Sequence, residues 1–78
     1  MRDQIVDLMA SVFGVDRTEI EGGAIFGKFK KWDSLRHMTL VVALEEEFNV
    51  TFSEEEITDM LSLDLIVEIL ESKVKAAS

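Results

Sequence analysis

Apolar residues recur at helical spacing in three long stretches of the chain and one short one. In the first, Ile5, Leu8, Met9, Val12 and Phe13 fall on one face with Val6 at its edge. That pattern predicts a helix beginning near Met1 to Asp3 and ending near Phe13. Gly14 is a natural stop, because glycine enters the left-handed conformation without a steric penalty. The second stretch runs from Ser34 to about Phe48 with no Pro or Gly inside it. Asp33 precedes it as an N-cap type, and Leu35, Met38, Val41, Val42, Ala43, Leu44 and Phe48 supply its apolar face. Asn49 suits a left-handed exit, and Thr51-Phe52 reads as a brief extended link. Ser53 followed by Glu56 is a capping box. It predicts a short third helix from about Glu54 to Met60, with Ile57, Met60 and Leu61 inward. Ser62 caps the last helix, predicted from about Leu63 to Val74 with Asp64 in its first turn. Leu63, Ile66, Val67, Leu70 and Val74 form its stripe, Lys73 and Lys75 suit its C-terminus, and Ala76 to Ser78 are expected to fray.

Residues 15–32 join the first two helices. Val15 and Ile20 anchor the start of this connection, and Asp16, Thr18 and Glu19 read as a turn or a short helical turn. Gly22-Gly23 breaks any regular element, and Ile25, Phe26 and Phe29 are apolar enough to pin the loop onto the helices. A structureless connection of this length is uncommon and often functional. The expectation is an all-α fold: one domain over 1–78, a four-helix bundle with three longer helices and one short one, and a long loop between helices one and two.

Composition narrows the picture. A chain of 78 residues buries only about 60–65% of its unfolded surface. It has no Cys, so neither a disulfide nor a thiolate metal site supports the fold. No apolar run reaches about 18 residues and no basic segment leads into one. No membrane span or signal peptide is therefore expected, and the default location is the cytoplasm. The net charge is −8 and lies mainly in the second half: residues 1–33 carry six acids and five bases, residues 34–78 ten acids and three bases. Such a surface argues against nucleic-acid binding, which needs a basic stripe. It suits a partner with a basic patch, although Glu45-Glu46-Glu47 and Glu54-Glu55-Glu56 also read as solvated faces that keep a small protein soluble. Lys28, Lys30 and Lys31 form a short basic patch that either attracts a phosphate or an acidic partner or is plain solvated loop.

The chemical constellations are few. Asp33, Ser34 and His37 contain the residue types of a hydrolytic triad, but they crowd one helix end without a strand–turn–helix elbow or an evident oxyanion hole. His37 stands alone without a metal-ligand pattern and reads as a surface or groove residue. The acidic triplets lack the Asp-rich loop and central Gly of a calcium-binding hand. Trp32 reads as a packing anchor. Ser34 remains, a short side chain at the first helical position, exposed at the positive end of a helix. That is a favourable place for a phosphate, and it makes Ser34 a site of modification.

The run Asp33-Ser34-Leu35, then Leu40, Leu44-Glu45-Glu46-Glu47-Phe48, Phe52, Glu56-Ile57 and Ser62-Leu63, resembles an acyl carrier protein of discrete type. The resemblance covers nearly the whole chain, with Gly14-Val15 at the family's distance before the Asp-Ser region. It implies that Ser34, flanked by Asp33 and Leu35, accepts 4′-phosphopantetheine from coenzyme A through a separate phosphopantetheinyl transferase. Acyl or aminoacyl groups would then ride on the arm's thiol as thioesters, delivered to loading and processing enzymes of fatty-acid, polyketide or related biosynthesis. It implies no catalysis by the chain itself, and a monomer is expected. Met38 and Val42 would offer apolar contacts to partners, and Glu45 and Glu46 charged ones. Leu44, Ile57 and Met60 would either line a cleft sheltering the cargo or be plain core, the favoured reading. The chain departs from the fatty-acid pattern at Arg36-His37, at Thr39, and at Lys28 to Lys31 with Trp32, which points to carriers of specialised pathways. The alternative is an acidic helical adaptor, never modified, that binds a basic protein.

Overall fold

The computed structural model describes residues 1–77. Among them are five helices: α1 (Arg2–Phe13), α2 (Arg17–Glu21), α3 (Ser34–Phe48), α4 (Glu54–Asp59) and α5 (Leu63–Ala77). The architecture is an all-α bundle in which α1 packs against α2, α3 and α5. The count exceeds the expected four because the long connection contains α2. Its signal was present in the chain: Asp16 is its N-cap, and the Glu19 carboxylate three residues on accepts the Asp16 N–H at 3.2 Å. Arg17 then ties α2 to α1 through Asp7 at 2.7 Å and Asp3 at 3.1 Å. Partial desolvation opposes the Arg17 charge, but the hydrogen bond it donates to Asp3 and the fields of Asp7, Glu21 and Asp3 together raise its pKa. Ile20 at the end of this short helix is fully buried.

Two of the long helices stop by the same device. Gly14 takes φ 69° and Asn49 φ 54°, both left-handed. The next N–H, from Val15 or Val50, closes back on Ala10 or Glu45 five residues earlier. This satisfies carbonyls that would otherwise be orphaned at the helix end. α4 opens on the expected capping box, with Ser53 N–H donating to Glu56 and Glu56 N–H to Ser53 Oγ. Ser62 Oγ accepts the Leu65 N–H at the start of α5. That helix continues to Ala77 rather than stopping near Val74, so Ala76 and Ala77 remain helical. The fraying expected of Ser78 lies outside the described residues.

The core turns each face somewhat from its predicted orientation. In α1, Val6 and Ala10 join Ile5, Met9 and Phe13 inside, while Leu8 and Val12 are half-buried. The larger correction is in α3. Leu35, Met38 and Val42, counted on its apolar face, are exposed, as the partner contacts expected of Met38 and Val42 require, and the buried residues are His37, Leu40, Val41 and Leu44. These four sit at i, i+3, i+4 and i+7, the spacing of one helix stripe. Leu40, absent from the predicted face, is fully buried. The stretch carries two apolar stripes, and the inner one includes a histidine that a purely hydrophobic reading passes over. Leu61 and Ile25 are also exposed rather than inward. Ile25 instead forms a single antiparallel bridge with Ser62, and the neighbouring Phe26 N–H donates to Leu61 O at 2.9 Å. The loop is therefore pinned by backbone to the residues just before α5, while Phe29 packs against Phe13 of α1 and Phe26 against Trp32 and His37.

Candidate functional site at the start of α3

Trp32 is the anchor from which α3 starts. Its side chain is buried against Phe13, with ring centroids 5.2 Å apart, and edge-on to Phe26 at 6.1 Å. The next residue turns the chain into the helix. Asp33 has extended backbone, its Oδ1 accepts the Arg36 N–H at 2.8 Å, and its carbonyl accepts the His37 N–H. The other carboxylate oxygen pairs with the Arg36 guanidinium at 2.9 Å. The negative charge beside the helix start is thus locally balanced. Arg36, which breaks the acidic pattern in the sequence, is the group that balances it.

Ser34 follows as the first helical residue, with its side chain exposed. Among the described residues no acceptor engages the N–H groups of Ser34 and Leu35, because Asp33 takes those of Arg36 and His37. A hydroxyl therefore stands beside two free backbone donors at the positive end of a 15-residue helix. These residues fit a phosphodiester: donors for its oxygens, a helix dipole of the right sign, and no uncompensated carboxylate to repel it. Leu35 beside it is 79% exposed.

Two surfaces run from this hydroxyl. Leu35, Met38, Thr39, Val42, Ala43 and Glu46 line a shallow depression along the outer side of α3. Met38, Val42 and Glu46 thus lie together with Leu35. Glu45 is set apart: it is half-buried, and its carboxylate accepts the Phe52 N–H at 2.9 Å. The second surface is a groove towards α4, whose walls include Phe26, Met38, Ile57 and Leu61 and whose end opens at Ser34. Leu44 and Met60 do not reach it. Both are fully buried, so they are core, and only Ile57 of the three borders open space.

Of the two places expected for His37, surface or groove, it takes the groove, and it is only 8% exposed there. The Trp32 indole N–H donates to His37 Nδ1 at 2.9 Å. Nδ1 must therefore be the acceptor nitrogen, and Nε2 carries the proton, which it donates to the Ile57 carbonyl at 2.8 Å. That carbonyl is one of the last of α4, where its only backbone partner is the Met60 N–H at 3.4 Å. Both ring nitrogens are thereby occupied. No lone pair is left to take a proton from Ser34, and Asp33 is engaged with Arg36, so the triad types do not assemble into a triad. Sequence reasoning missed this role. The signal was the combination of Trp32 and His37 on adjoining turns. Among the described residues no group of three His, Cys, Asp or Glu side chains could hold a metal ion, and no helix is long and apolar enough to cross a membrane.

Comparison with known proteins bears directly on this geometry. The sequence model of the family described as "Phosphopantetheine attachment site" matches residues 3–70. The chain is 34% identical to "Polyketide-8 synthase acyl carrier protein 2" of Streptomyces avermitilis, across 94% of this chain and 84% of that one. It is 31% identical to an acyl carrier protein of Clostridium acetobutylicum, across 90% of this chain and 91% of the other. An acyl carrier protein of Bdellovibrio bacteriovorus shares 30% identity, across 94% of each.

Proposed function

Because the chain belongs to the acyl carrier proteins, which bear a covalent phosphopantetheine and carry biosynthetic intermediates on it as thioesters, we propose that Ser34 is the attachment residue. As a member of that family it is a carrier and not a catalyst. The observation that carries the proposal is the exposed hydroxyl at the start of α3, beside two free N–H groups and a carboxylate already neutralised by Arg36. The transferase must bring coenzyme A to this hydroxyl, whose oxygen bonds the phosphopantetheinyl phosphorus as the pyrophosphate bond of coenzyme A breaks, adenosine 3′,5′-bisphosphate leaves and the hydroxyl proton is lost. Once bound, the arm supplies the thiol that this cysteine-free chain lacks.

Partner enzymes are then expected to meet the chain along α3. Leu35, Met38 and Val42 supply an apolar strip there, and Glu46 a charge for a basic rim. Glu45 is the weaker contact of the acidic pair, because part of its hydrogen-bonding capacity is spent on Phe52. The Streptomyces relative is named for a polyketide synthase. For this chain, loading and processing enzymes of polyketide, fatty-acid or related synthesis fit the same surface. A cytoplasmic monomer is the simplest form in which it would serve them.

Incubation with coenzyme A and a broad-specificity transferase tests the assignment. The intact mass should rise by one phosphopantetheine, and Ser34→Ala should abolish the rise. No gain in the native chain would favour the unmodified adaptor instead.

A further inference from the structure

The groove beside Ser34 ends on a side chain that closes the bundle. Beneath Phe26, Met38, Ile57 and Leu61, the His37 ring bridges α3 to α4 by accepting from Trp32 and donating to the Ile57 carbonyl. It lies tilted against Phe26, with centroids 5.3 Å apart and planes at 60°, and against Trp32 at 5.9 Å. Behind it Leu40, Leu44, Met60 and Ile66 are fully buried. We propose that His37 bolts the bundle against its own cargo, so that this carrier holds short acyl groups in the outer groove rather than in its core. The inference rests on Ser34 being the attachment residue.

The physical reason is the cost of opening. An apolar chain tethered at Ser34 reaches the groove first, where Phe26, Met38, Ile57 and Leu61 cover part of it. Passing inward between α3 and α4 means displacing the His37 ring. That leaves the Trp32 N–H without an acceptor, and the Ile57 carbonyl with only the Met60 N–H at 3.4 Å, in an apolar setting where an unmade hydrogen bond is more costly than one lost to water. The few methylenes of a short chain do not offset that loss together with the repacking of Leu44 and Met60 behind the ring. The bolt therefore keeps groups as short as butanoyl and octanoyl in the outer groove. His37 is a positioning residue here, since it acts through the packing of α4 and not on the thioester.

The test uses the full chain loaded at Ser34 by a transferase from butanoyl- and octanoyl-coenzyme A, with intact mass recorded first. Methyl resonances of Leu44 and Met60 report the core, those of Ile57 and Leu61 the groove, and the Trp32 indole N–H the bolt. In the native chain, changing butanoyl to octanoyl should shift Ile57 and Leu61, leave Leu44, Met60 and the indole N–H in place, and leave the melting temperature unchanged. In His37→Ala, octanoyl but not butanoyl should shift Leu44 and Met60 and raise the melting temperature. A mere loss of packing would not produce that chain-length dependence. Octanoyl-induced shifts of Leu44 and Met60 in the native chain would overturn the proposal, as would a folded His37→Ala whose core ignores chain length. If His37→Ala does not fold, the native comparison decides alone. A chain that gains no mass would instead refute Ser34 as the attachment residue, which is a separate result.

Discussion

At the scale of single residues, the start of α3 is arranged so that the polar side chains around the reactive one, those of Trp32, Asp33, Arg36 and His37, all have partners. Asp33 is held by two donors of Arg36, and His37 by Trp32 and the Ile57 carbonyl, while Ser34 keeps its side chain in water. Among the described residues no buried side-chain nitrogen or oxygen lacks a partner. Trp32→Phe keeps an aromatic ring but removes the donor to His37. It should destabilise the protein by about 1–3 kcal/mol in urea titrations, the range for leaving one buried polar atom unpaired. A change within error would mean that the indole hydrogen bond contributes nothing. Leu44→Ala should cost about 2–4 kcal/mol, because a fully buried leucine leaves a cavity in a packed core. Met38→Ala, at an exposed position of the same helix, should change stability little and so separates the inner stripe from the outer one.

At the scale of elements, α4 is too short to hold itself and depends on what docks it. Its first turn carries Glu54, Glu55 and Glu56, which favour the helix start electrostatically. Glu56 also reaches Lys73 of α5 at 2.8 Å, and Lys73 lies over the Phe52 ring at 5.8 Å. The hydrogen bond from Lys73, then the Ser53 N–H, hold the Glu56 pKa below its ordinary 4.5. The unfolded chain therefore binds that proton more readily. The pair's contribution is complete above the ordinary value and is lost as pH falls through the lower folded one. Lys73→Met should accordingly be less stable than the native chain at about pH 7, and the gap should narrow at about pH 3. An equal gap at both would show that the lysine acts by packing alone. Elements were also where the sequence was most legible. The bounds of α3, the Ser53–Glu56 box and the left-handed exits at Gly14 and Asn49 follow from local chemistry. α2 was only half seen, though Asp16 and Glu19 spell the same kind of start, because a five-residue helix has too few apolar positions to show a period. The orientation of α3 was not legible, since its two stripes are similarly apolar and only tertiary pairing of His37 with Trp32 and Ile57 selects the inner one.

At the scale of the molecule, the fold separates three duties. The core is drawn from α1, α2, α3, α5 and the connecting segments with Trp32, Phe52 and Met60, the acidic load lies in the second half of the chain, and the modifiable hydroxyl stands where the long connection meets α3. The candidate site was readable because a hydroxyl at a helix start is a local feature. The residue that governs the neighbouring groove was not, because its partners lie five residues before it and twenty after. The central claim is that Ser34 receives the arm, and peptide mapping tests it most directly. Trypsin cuts after Lys31 and Arg36 and releases Trp32 to Arg36, in which Ser34 is the only hydroxyl. After reaction with coenzyme A and a transferase, that peptide should carry one phosphopantetheine. The same mass found on another peptide, or on none, would contradict the account.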